Sequence, residues 1–197
     1  MGRWEPNACG RLAQAALELF SERGYEQTTV AEIAKRAGLT ERTYFRHYAD
    51  KCEVMFGKSG ALQEQFVTAV AEAPQSTAPI DAVAAALEAV AQGFADPREY
   101  RQRQAVIAAN AELQERELTK YASMSAAIAD TLRRRGVAEP SATLTAEAGI
   151  AVFKVGFQLW LSASEERELA QVMRESLDEL KAVTARHGGG RPHHPSC

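Results

Sequence analysis

The sequence predicts an all-α protein, and two observations support that prediction. Apolar residues recur three and four positions apart along most of the chain, which is the period of a helix that buries one face. No run of alternating β-branched residues is long enough to predict a strand, and prolines are few outside the C-terminal tail. We expect about nine helices, with a three-helix unit at the N-terminus and a larger helical bundle after it.

Charge and cysteine content narrow the class of protein. The net charge of the 197 residues is −3, but residues 1–58 carry nine Lys and Arg against eight Asp and Glu. The charge of a local face, rather than the total, decides whether a protein binds phosphate. Cys9, Cys52 and Cys197 have no metal-site or disulfide spacing, and no apolar run approaches the roughly 18–20 residues of a membrane span. We therefore expect a cytoplasmic protein without metal, cofactor or membrane segment.

The first helix is predicted between Pro6-Asn7 and Arg23-Gly24. Asparagine is a good N-cap, proline is tolerated in a first turn, and glycine commonly follows a last turn. Its apolar stripe is Leu12, Ala15, Ala16, Leu19 and Phe20. This stripe can form the third wall of a small domain, because two short helices cannot bury their own apolar faces.

The second helix begins with a capping box. Thr29 can accept a hydrogen bond from a free backbone amide at the helix start, and Glu32 stands three residues later, as the motif requires. Val30, Ile33, Ala34 and Ala37 then form one apolar stripe. Gly38 follows, where a helix often ends in the left-handed conformation, and Thr40 is a ready N-cap for a third helix.

The third helix has a basic outer face. Tyr44 and Tyr48 share the inner side, whereas Arg42 and Arg46 lie opposite, flanked by other polar side chains. From residue 35 to residue 51 there are five basic side chains against two acids. This arrangement is typical of a helix-turn-helix whose second helix enters the DNA major groove. The alternative is a helical hairpin that only packs, with ordinary solvated arginines.

These residues resemble the DNA-binding domain of TetR/AcrR-family transcriptional regulators. The likeness covers about Pro6 to Phe66 and rests on Gly24-Tyr25, Thr28-Thr29-Val30-Ala31-Glu32-Ile33-Ala34, Ala37-Gly38-Leu39-Thr40, Thr43-Tyr44-Phe45-Arg46-His47-Tyr48 and Asp50-Lys51. The rest of such proteins diverges, so there the likeness rests on the number and order of helices.

The resemblance implies a role for each matching residue. Thr29 is expected to contact a phosphate, and Lys51 to anchor the DNA backbone. Phe45 and His47 stand where the family often touches phosphates, although Phe45 lacks the hydroxyl of the tyrosine frequent there. The positions expected to read base edges or the adjacent backbone are Thr40, Glu41, Arg42, Thr43 and Arg46. An arginine can grip guanine bidentately, and Glu41 either accepts from cytosine or only offsets the nearby positive charge.

The domain boundaries follow from these helices and from a proline-rich break near residues 74–79. We predict a DNA-binding domain at 6–66, with the helix-turn-helix at about 29–48. A helix from Lys51 to about Ala71, capped by Asp50, would connect it to the rest, and Gly57 and Gly60 favour a bend in it. A helical domain for effector binding and dimerisation is predicted at 67–187, and a disordered tail at 188–197.

The penultimate helix, capped by Ser141, is predicted to be apolar on two sides. One side carries Leu144, Ala148, Ala151, Val155 and Leu159. A helix that is apolar all round must be buried all round, so we expect the other, aromatic side to meet a second subunit. Gly149 and Gly156 would let the two backbones approach closely. The resemblance agrees, since the family dimerises through its last two helices. The predicted interface is Ile150, Phe153, Phe157, Trp160, Leu161, Leu169, Val172, Met173, Leu177 and Leu180.

The resemblance also implies a pocket for a small-molecule effector inside the bundle. Candidate lining residues are Phe66, Leu87, Phe94, Tyr121 and Met124, although each also fits ordinary core packing. The expected partners are therefore a palindromic double-stranded DNA operator, a second copy of the chain and an unidentified effector, with repression as the family default. No catalytic triad, zinc motif or phosphate loop predicts an enzyme. The alternative function is a helical protein-binding adaptor that does not bind DNA.

Overall fold

The computed structural model describes residues 7–57, 59–163 and 167–185, and all regular structure in this part of the chain is helical. The helices are α1, Ala8–Arg23; α2, Val30–Arg36; α3, Glu41–His47; a 3-10 helix, Glu53–Phe56; α4, Ser59–Glu72; α5, Pro79–Ala91; α6, Pro97–Ala108; α7, Ala111–Arg134; α8, Ser141–Ser162; and α9, Leu169–Ala185. The all-α prediction is confirmed. The predicted disordered tail at 188–197 lies outside the described residues.

The chain forms two compact units. The first holds residues up to 64 together with 96–124, and the second holds residues 65–95 and those from 125 onward. The sequence placed the boundary at residue 66, whereas the first unit also takes in α6 and the first half of α7. Helices α4 and α7 each begin in the first unit and end in the second.

The head of the first unit, α1 to α3, follows the predicted local signals. The Asn7 side chain accepts from Gly10 N at 3.1 Å, and the Thr29–Glu32 capping box starts α2. Gly38 has φ +66°, the left-handed conformation that glycine adopts without a steric penalty. The buried core of this unit joins the α1 stripe to Ile33, Tyr44 and residues of the 3-10 helix and α6.

The predicted connecting helix from Lys51 is interrupted. Asp50 does act as a cap, since its Oδ1 accepts from Glu53 N at 2.8 Å, but it starts a 3-10 helix that ends at Phe56. A Cβ at Gly57 would lie 2.7 Å from Cε1 of Tyr48, so this position needs a glycine for close packing. The α-helix resumes at Ser59. The predicted connecting helix is thus interrupted at Gly57 and not only bent there.

The second unit is built around α8. Its aromatic side is buried against the protein's own residues: Phe66 lies 5.6 Å from Phe153, and Phe94 lies 5.5 Å from Phe157, between ring centroids. By length and composition α8 could cross a membrane. The burial of Phe153 and Trp160 within the unit instead identifies it as a core helix.

The aromatic side of α8, which was expected to meet a second subunit, is not exposed in the chain. Its own unit covers the aromatic side, because α5, α9, Phe66 and Phe94 supply more apolar surface than the sequence pattern revealed. Leu180 is half-buried, and the other nine predicted interface residues are buried within the chain, namely Ile150, Phe153, Phe157, Trp160, Leu161, Leu169, Val172, Met173 and Leu177.

The two glycines of α8 do allow close approach, but to the same chain. A Cβ at Gly149 would lie 2.4 Å from Cγ1 of Val83 on α5, and one at Gly156 would lie 2.8 Å from Sδ of Met173 on α9. Ser141 is the first residue of α8 and makes no side-chain capping hydrogen bond, so its predicted role as the cap is also wrong.

Candidate nucleic-acid interface

Helix α3 presents its polar side to solvent. Thr40 caps the helix, since its Oγ1 accepts from Thr43 N at 3.2 Å. Thr43 is half-buried, while the side chains of Thr40, Glu41, Arg42, Phe45, Arg46 and His47 are exposed. The structure therefore brings the predicted base-reading residues together on one accessible surface.

Arg42 and Arg46 are the arginines of the head that have no partner. Neither makes a hydrogen bond or ion pair with any described residue. Arg23 pairs with Glu32 at 3.0 Å, and Arg36 pairs with Glu22 at 2.9 Å and also with Glu18. Helix α3 therefore carries two exposed guanidiniums that are not neutralised by a described residue, which is what direct readout of bases requires.

Two buried tyrosines hold α3 against the head. Tyr44 is fully buried and its hydroxyl donates to the carbonyl oxygens of Asp50 and Lys51, at 3.1 and 3.3 Å. Tyr48 donates to the carbonyl oxygen of Cys9 at 3.0 Å. Burial raises the pKa of both phenols, so both stay protonated and keep donating. This anchoring fixes the direction of the opposite, arginine-bearing side.

The predicted phosphate contacts have different environments. The Thr29 hydroxyl is engaged with Glu32 Oε2 at 2.9 Å, but it lies exposed at the N-terminus of α2. His47 Nδ1 is 3.3 Å from Cys9 Sγ. The Phe45 side chain is 54% exposed, so an apolar ring borders the two arginines.

Lys51 is held inside the head rather than extended toward solvent. Its ammonium donates to the carbonyl oxygen of Tyr25 at 3.0 Å and lies 3.9 Å from the centroid of the Tyr25 ring. The Tyr25 hydroxyl in turn donates to Glu112 at 2.9 Å. Sequence reasoning identified Lys51 but missed its partner, because Tyr25 is far away in the chain.

An ion-pair cluster behind the head was also missed. Arg116 of α7 reaches Asp50 at 2.8 Å and Glu53 at 3.0 Å, and Lys120 reaches Glu53 at 2.6 Å. We call these four residues the α7 clasp. Burial tends to raise the pKa of Asp50, but Arg116 and backbone amides outweigh it, so the pKa is lowered. No local signal predicts pairs that are more than 60 residues apart.

Comparison with known proteins identifies the family of this chain. The family model described as "Bacterial regulatory proteins, tetR family" matches residues 12–56, and the model "MftR C-terminal domain" matches residues 77–185. The chain belongs to the TetR family. The family assignment supports a DNA-binding transcriptional regulator, and the exposed, arginine-bearing α3 is the surface that fits this role.

Two curated TetR-family relatives illustrate the range of similarity. The chain is 41% identical over 80 residues to TcmR of Streptomyces glaucescens, an alignment that covers 41% of this chain but only 35% of TcmR. It is 31% identical over 138 residues to MftR of Mycobacterium tuberculosis, whose name describes a regulator of mycofactocin biosynthesis. That alignment covers 68% of this chain and 69% of MftR.

Solved TetR-family structures share the fold at low sequence identity. The repressor FadR of Thermus thermophilus, solved with lauroyl-CoA, is 22% identical with a TM-score of 0.51, and the alignment covers 96% of this chain and 98% of FadR. SmeT, a repressor of a Stenotrophomonas maltophilia efflux pump, is 18% identical with a TM-score of 0.56, covering 96% and 97%.

The five predicted pocket residues fall into both units of this TetR-family chain. Phe66, Phe94 and Leu87 belong to the second unit, where the first two pack on the aromatic side of α8. Tyr121 and Met124 belong to the first unit. Phe66, Leu87 and Met124 are fully buried, so only Phe94 and Tyr121 keep accessible surface.

Proposed function

We propose that the protein is a cytoplasmic transcriptional repressor that binds a palindromic operator as a homodimer and is released by a small-molecule effector. The observation that carries the DNA half of this proposal is that Arg42 and Arg46 are exposed, without a partner among the described residues, on a helix that two buried tyrosines anchor. The family assignment favours this function over the adaptor alternative, which gives those two charges no role.

The proposed DNA contacts are of two kinds: contacts to phosphates, which position the protein on the duplex, and contacts to base edges, which read the sequence. Thr29, Thr40 and His47 offer hydroxyl or imidazole groups near helix ends, which suit phosphate contacts. Arg42 and Arg46 suit guanine, whose O6 and N7 accept a bidentate guanidinium. The ammonium of Lys51 is engaged with Tyr25, so Lys51 supports the head and is not assigned a phosphate contact.

A two-fold dimer supplies the second reading helix that a palindromic site needs. One helix reads only a few base pairs, and two of them must lie about 34–36 Å apart, or a multiple of that, to reach successive major grooves. The surface available for dimerisation is the side of α8 opposite its aromatic residues. Leu144, Val155 and Leu159 there are 64%, 57% and 55% exposed.

This exposed side is a continuous apolar stripe. Its α8 members are Leu144, Ala148, Ala151, Val155 and Leu159, at helical spacing, and Val183 of α9 is also exposed. Monomeric proteins seldom expose contiguous large apolar side chains, whereas a two-fold interface pairs the same stripe with itself. We name these five α8 residues the α8 stripe and assign the dimer contact to it.

Repression and effector release are supported by relatives. FadR and SmeT are named as repressors, and FadR was solved with lauroyl-CoA. An effector needs a coupling free energy of only about 1–3 kcal/mol to change operator occupancy substantially.

Selection of bound duplexes from a random DNA pool tests the DNA half of the proposal. We expect an inverted repeat whose half-site spacing matches one or more helical turns. Enrichment of single half-sites would contradict the dimer, and no enrichment at all would contradict the DNA-binding function.

A further inference from the structure

Arg103 of α6 is a cation in the interior of the first unit. Its Nε donates to the carbonyl oxygen of Met55 at 2.7 Å, and its Cζ lies 5.3 Å from the centroid of the Phe56 ring. Burial lowers the pKa of this guanidinium, and the nearby Glu117 opposes the effect. The residue as a whole is half-buried rather than fully enclosed.

No carboxylate among the described residues lies within ion-pair distance of Arg103. Arg116 of α7 shows the contrast, because it binds both Asp50 and Glu53. A charge removed from water without a counter-ion is costly, and a guanidinium fork matches an oxyanion bidentately. Among the described residues Arg103 thus contacts a carbonyl oxygen and an aromatic ring but no carboxylate at ion-pair distance, which leaves guanidinium N–H groups able to bind an anion.

The next residue, Gln104, also has an unmet hydrogen-bonding group. Its Nε2 donates to Glu117 Oε2 at 3.4 Å, while its Oε1 is buried and accepts no hydrogen bond from the described residues. Exchanging the two amide atoms would set an oxygen against the Glu117 carboxylate, so this orientation is the favourable one. A buried acceptor without a donor is destabilising. Glu117 is thus a neighbour of both Arg103 and Gln104.

We infer that Arg103 and Gln104 form the polar end of the effector site and that the effector is an organic acid. The oxyanion would bind the free side of the Arg103 fork, and a hydroxyl or amine of the same molecule would donate to Gln104 Oε1. Tyr121, beside Glu117, and Phe56 offer aromatic surface to its body. This inference rests on the proposed release by an effector, but the binding itself can be measured without DNA.

The location also explains how binding of such a ligand would affect α3. Arg103 holds the carbonyl of Met55 in the 3-10 helix, whose first residue, Glu53, belongs to the α7 clasp. Asp50, the cap of that helix, accepts the Tyr44 hydroxyl of α3 on its carbonyl oxygen. A ligand that binds the guanidinium is therefore connected to α3 through the 3-10 helix and its cap. If the ligand lowers the affinity for DNA, DNA must lower the affinity for the ligand by the same factor.

The test compares acids with neutral molecules of the same shape. Thermal unfolding of the full chain is followed with benzoate against benzamide, octanoate against octanamide, and phenyl phosphate, all at one ionic strength. We expect at least one acid to raise the unfolding temperature and its amide not to. Arg103→Gln should abolish the shift, whereas Arg133→Gln, at an exposed arginine of the second unit, should leave it intact.

A second variant keeps the result interpretable if Arg103→Gln does not fold. Arg103→Lys keeps the charge but loses the paired N–H donors of the guanidinium, so it should reduce the rise in unfolding temperature without removing it. Equal shifts by acid and amide, an undiminished shift in Arg103→Gln or Arg103→Lys, or no shift with any acid would overturn the inference. The acid that binds should weaken DNA binding by roughly 5–150-fold. If it binds at Arg103 and leaves DNA affinity unchanged, the effector role is wrong. Failure of the DNA selection instead contradicts the proposed function.

Discussion

The ammonium of Lys51 donates to the carbonyl oxygen of Tyr25 and lies over the same residue's ring, 3.9 Å from its centroid. A cation held between a carbonyl dipole and an aromatic face contributes to the stability of the head. It is a poor source of counterion release, because releasing counterions requires the ammonium to approach a phosphate.

Lys51→Ala should therefore lower the thermal stability of the head while leaving the salt dependence of DNA binding close to that of wild type. The matched variant is Lys35→Ala, at an exposed lysine of α2. This change should leave stability nearly unchanged. It should reduce the slope of log affinity against log salt concentration by about one only if Lys35 contacts a phosphate. Titration of DNA binding over a range of salt concentrations measures both slopes. A slope reduced by about one in Lys51→Ala would show that the lysine leaves Tyr25 when DNA binds.

Arg42→Ala and Arg46→Ala should each weaken binding to the selected operator by about 1–3 kcal/mol and relax specificity at one base pair. The reason is that each guanidinium is exposed and has no partner within the described chain. Affinities for the operator and for its single-base variants provide the measurement. Arg133→Ala removes an equal charge from an arginine already paired with Asp130 and Glu139, and should leave affinity unchanged. Wild-type affinity after loss of both α3 arginines would eliminate this face as the DNA-binding surface.

The head could be predicted from sequence because its determinants are local. The Thr29–Glu32 capping box, the left-handed Gly38 and the Thr40 cap each lie within a few residues of the feature they specify. Their order also carries the family resemblance. The outward direction of Arg42 and Arg46 follows from helical period alone once Tyr44 is placed inside.

Helix α8 shows where such reasoning stops. Both sides of this helix are apolar, so periodicity cannot say which one its own unit covers. The answer depends on Phe66 and Phe94, which come from distant segments and pack against Phe153 and Phe157. The α7 clasp and the position of Arg103 depend likewise on tertiary contacts that no local pattern encodes.

Leu159→Glu should convert the proposed dimer to monomer, because a carboxylate would be buried in the symmetric apolar contact of the α8 stripe. Leu118→Glu is a close control, since Leu118 is 58% exposed, Leu159 is 55% exposed, and Leu118 belongs to the other unit. Sedimentation velocity at micromolar concentration should show a monomer only for Leu159→Glu. A dimer that persists in this variant, or a wild-type monomer, would place the interface elsewhere or remove it.

The α7 clasp predicts an acid-sensitive contribution to stability. The pKa of Asp50 is lowered in the folded protein, so its stabilising effect is present above the unfolded value of about 3.9 and disappears as pH falls through the folded value. Asp50→Asn keeps a good N-cap but removes the charge. Because the Asp50 side chain is 44% exposed, the loss at neutral pH should be only about 0.2–1 kcal/mol.

Urea unfolding of wild type and Asp50→Asn between neutral and acidic pH measures this contribution. The two stability curves should be separated at neutral pH and converge in acid. Arg116→Ala also removes the pair with Glu53, so it should show the same convergence with a separation at least as large. Curves that stay parallel over the whole range would show that the Asp50–Arg116 pair does not stabilise the fold.

Gly149 sets the distance between α8 and α5, because a Cβ there would lie 2.4 Å from Cγ1 of Val83. Gly149→Ala should therefore destabilise the protein by about 1–3 kcal/mol through overpacking. Gly60 of α4 has no atom within 4 Å of an added Cβ, so Gly60→Ala should be neutral or stabilising by up to about 1 kcal/mol. Urea denaturation compares the two. Val83→Ala removes the clashing methyl groups, so in the Gly149→Ala background it should cost less than it does alone, or restore stability. Additive losses in this double-mutant cycle would mean that the two residues are not in contact and that the α5–α8 packing is looser than described.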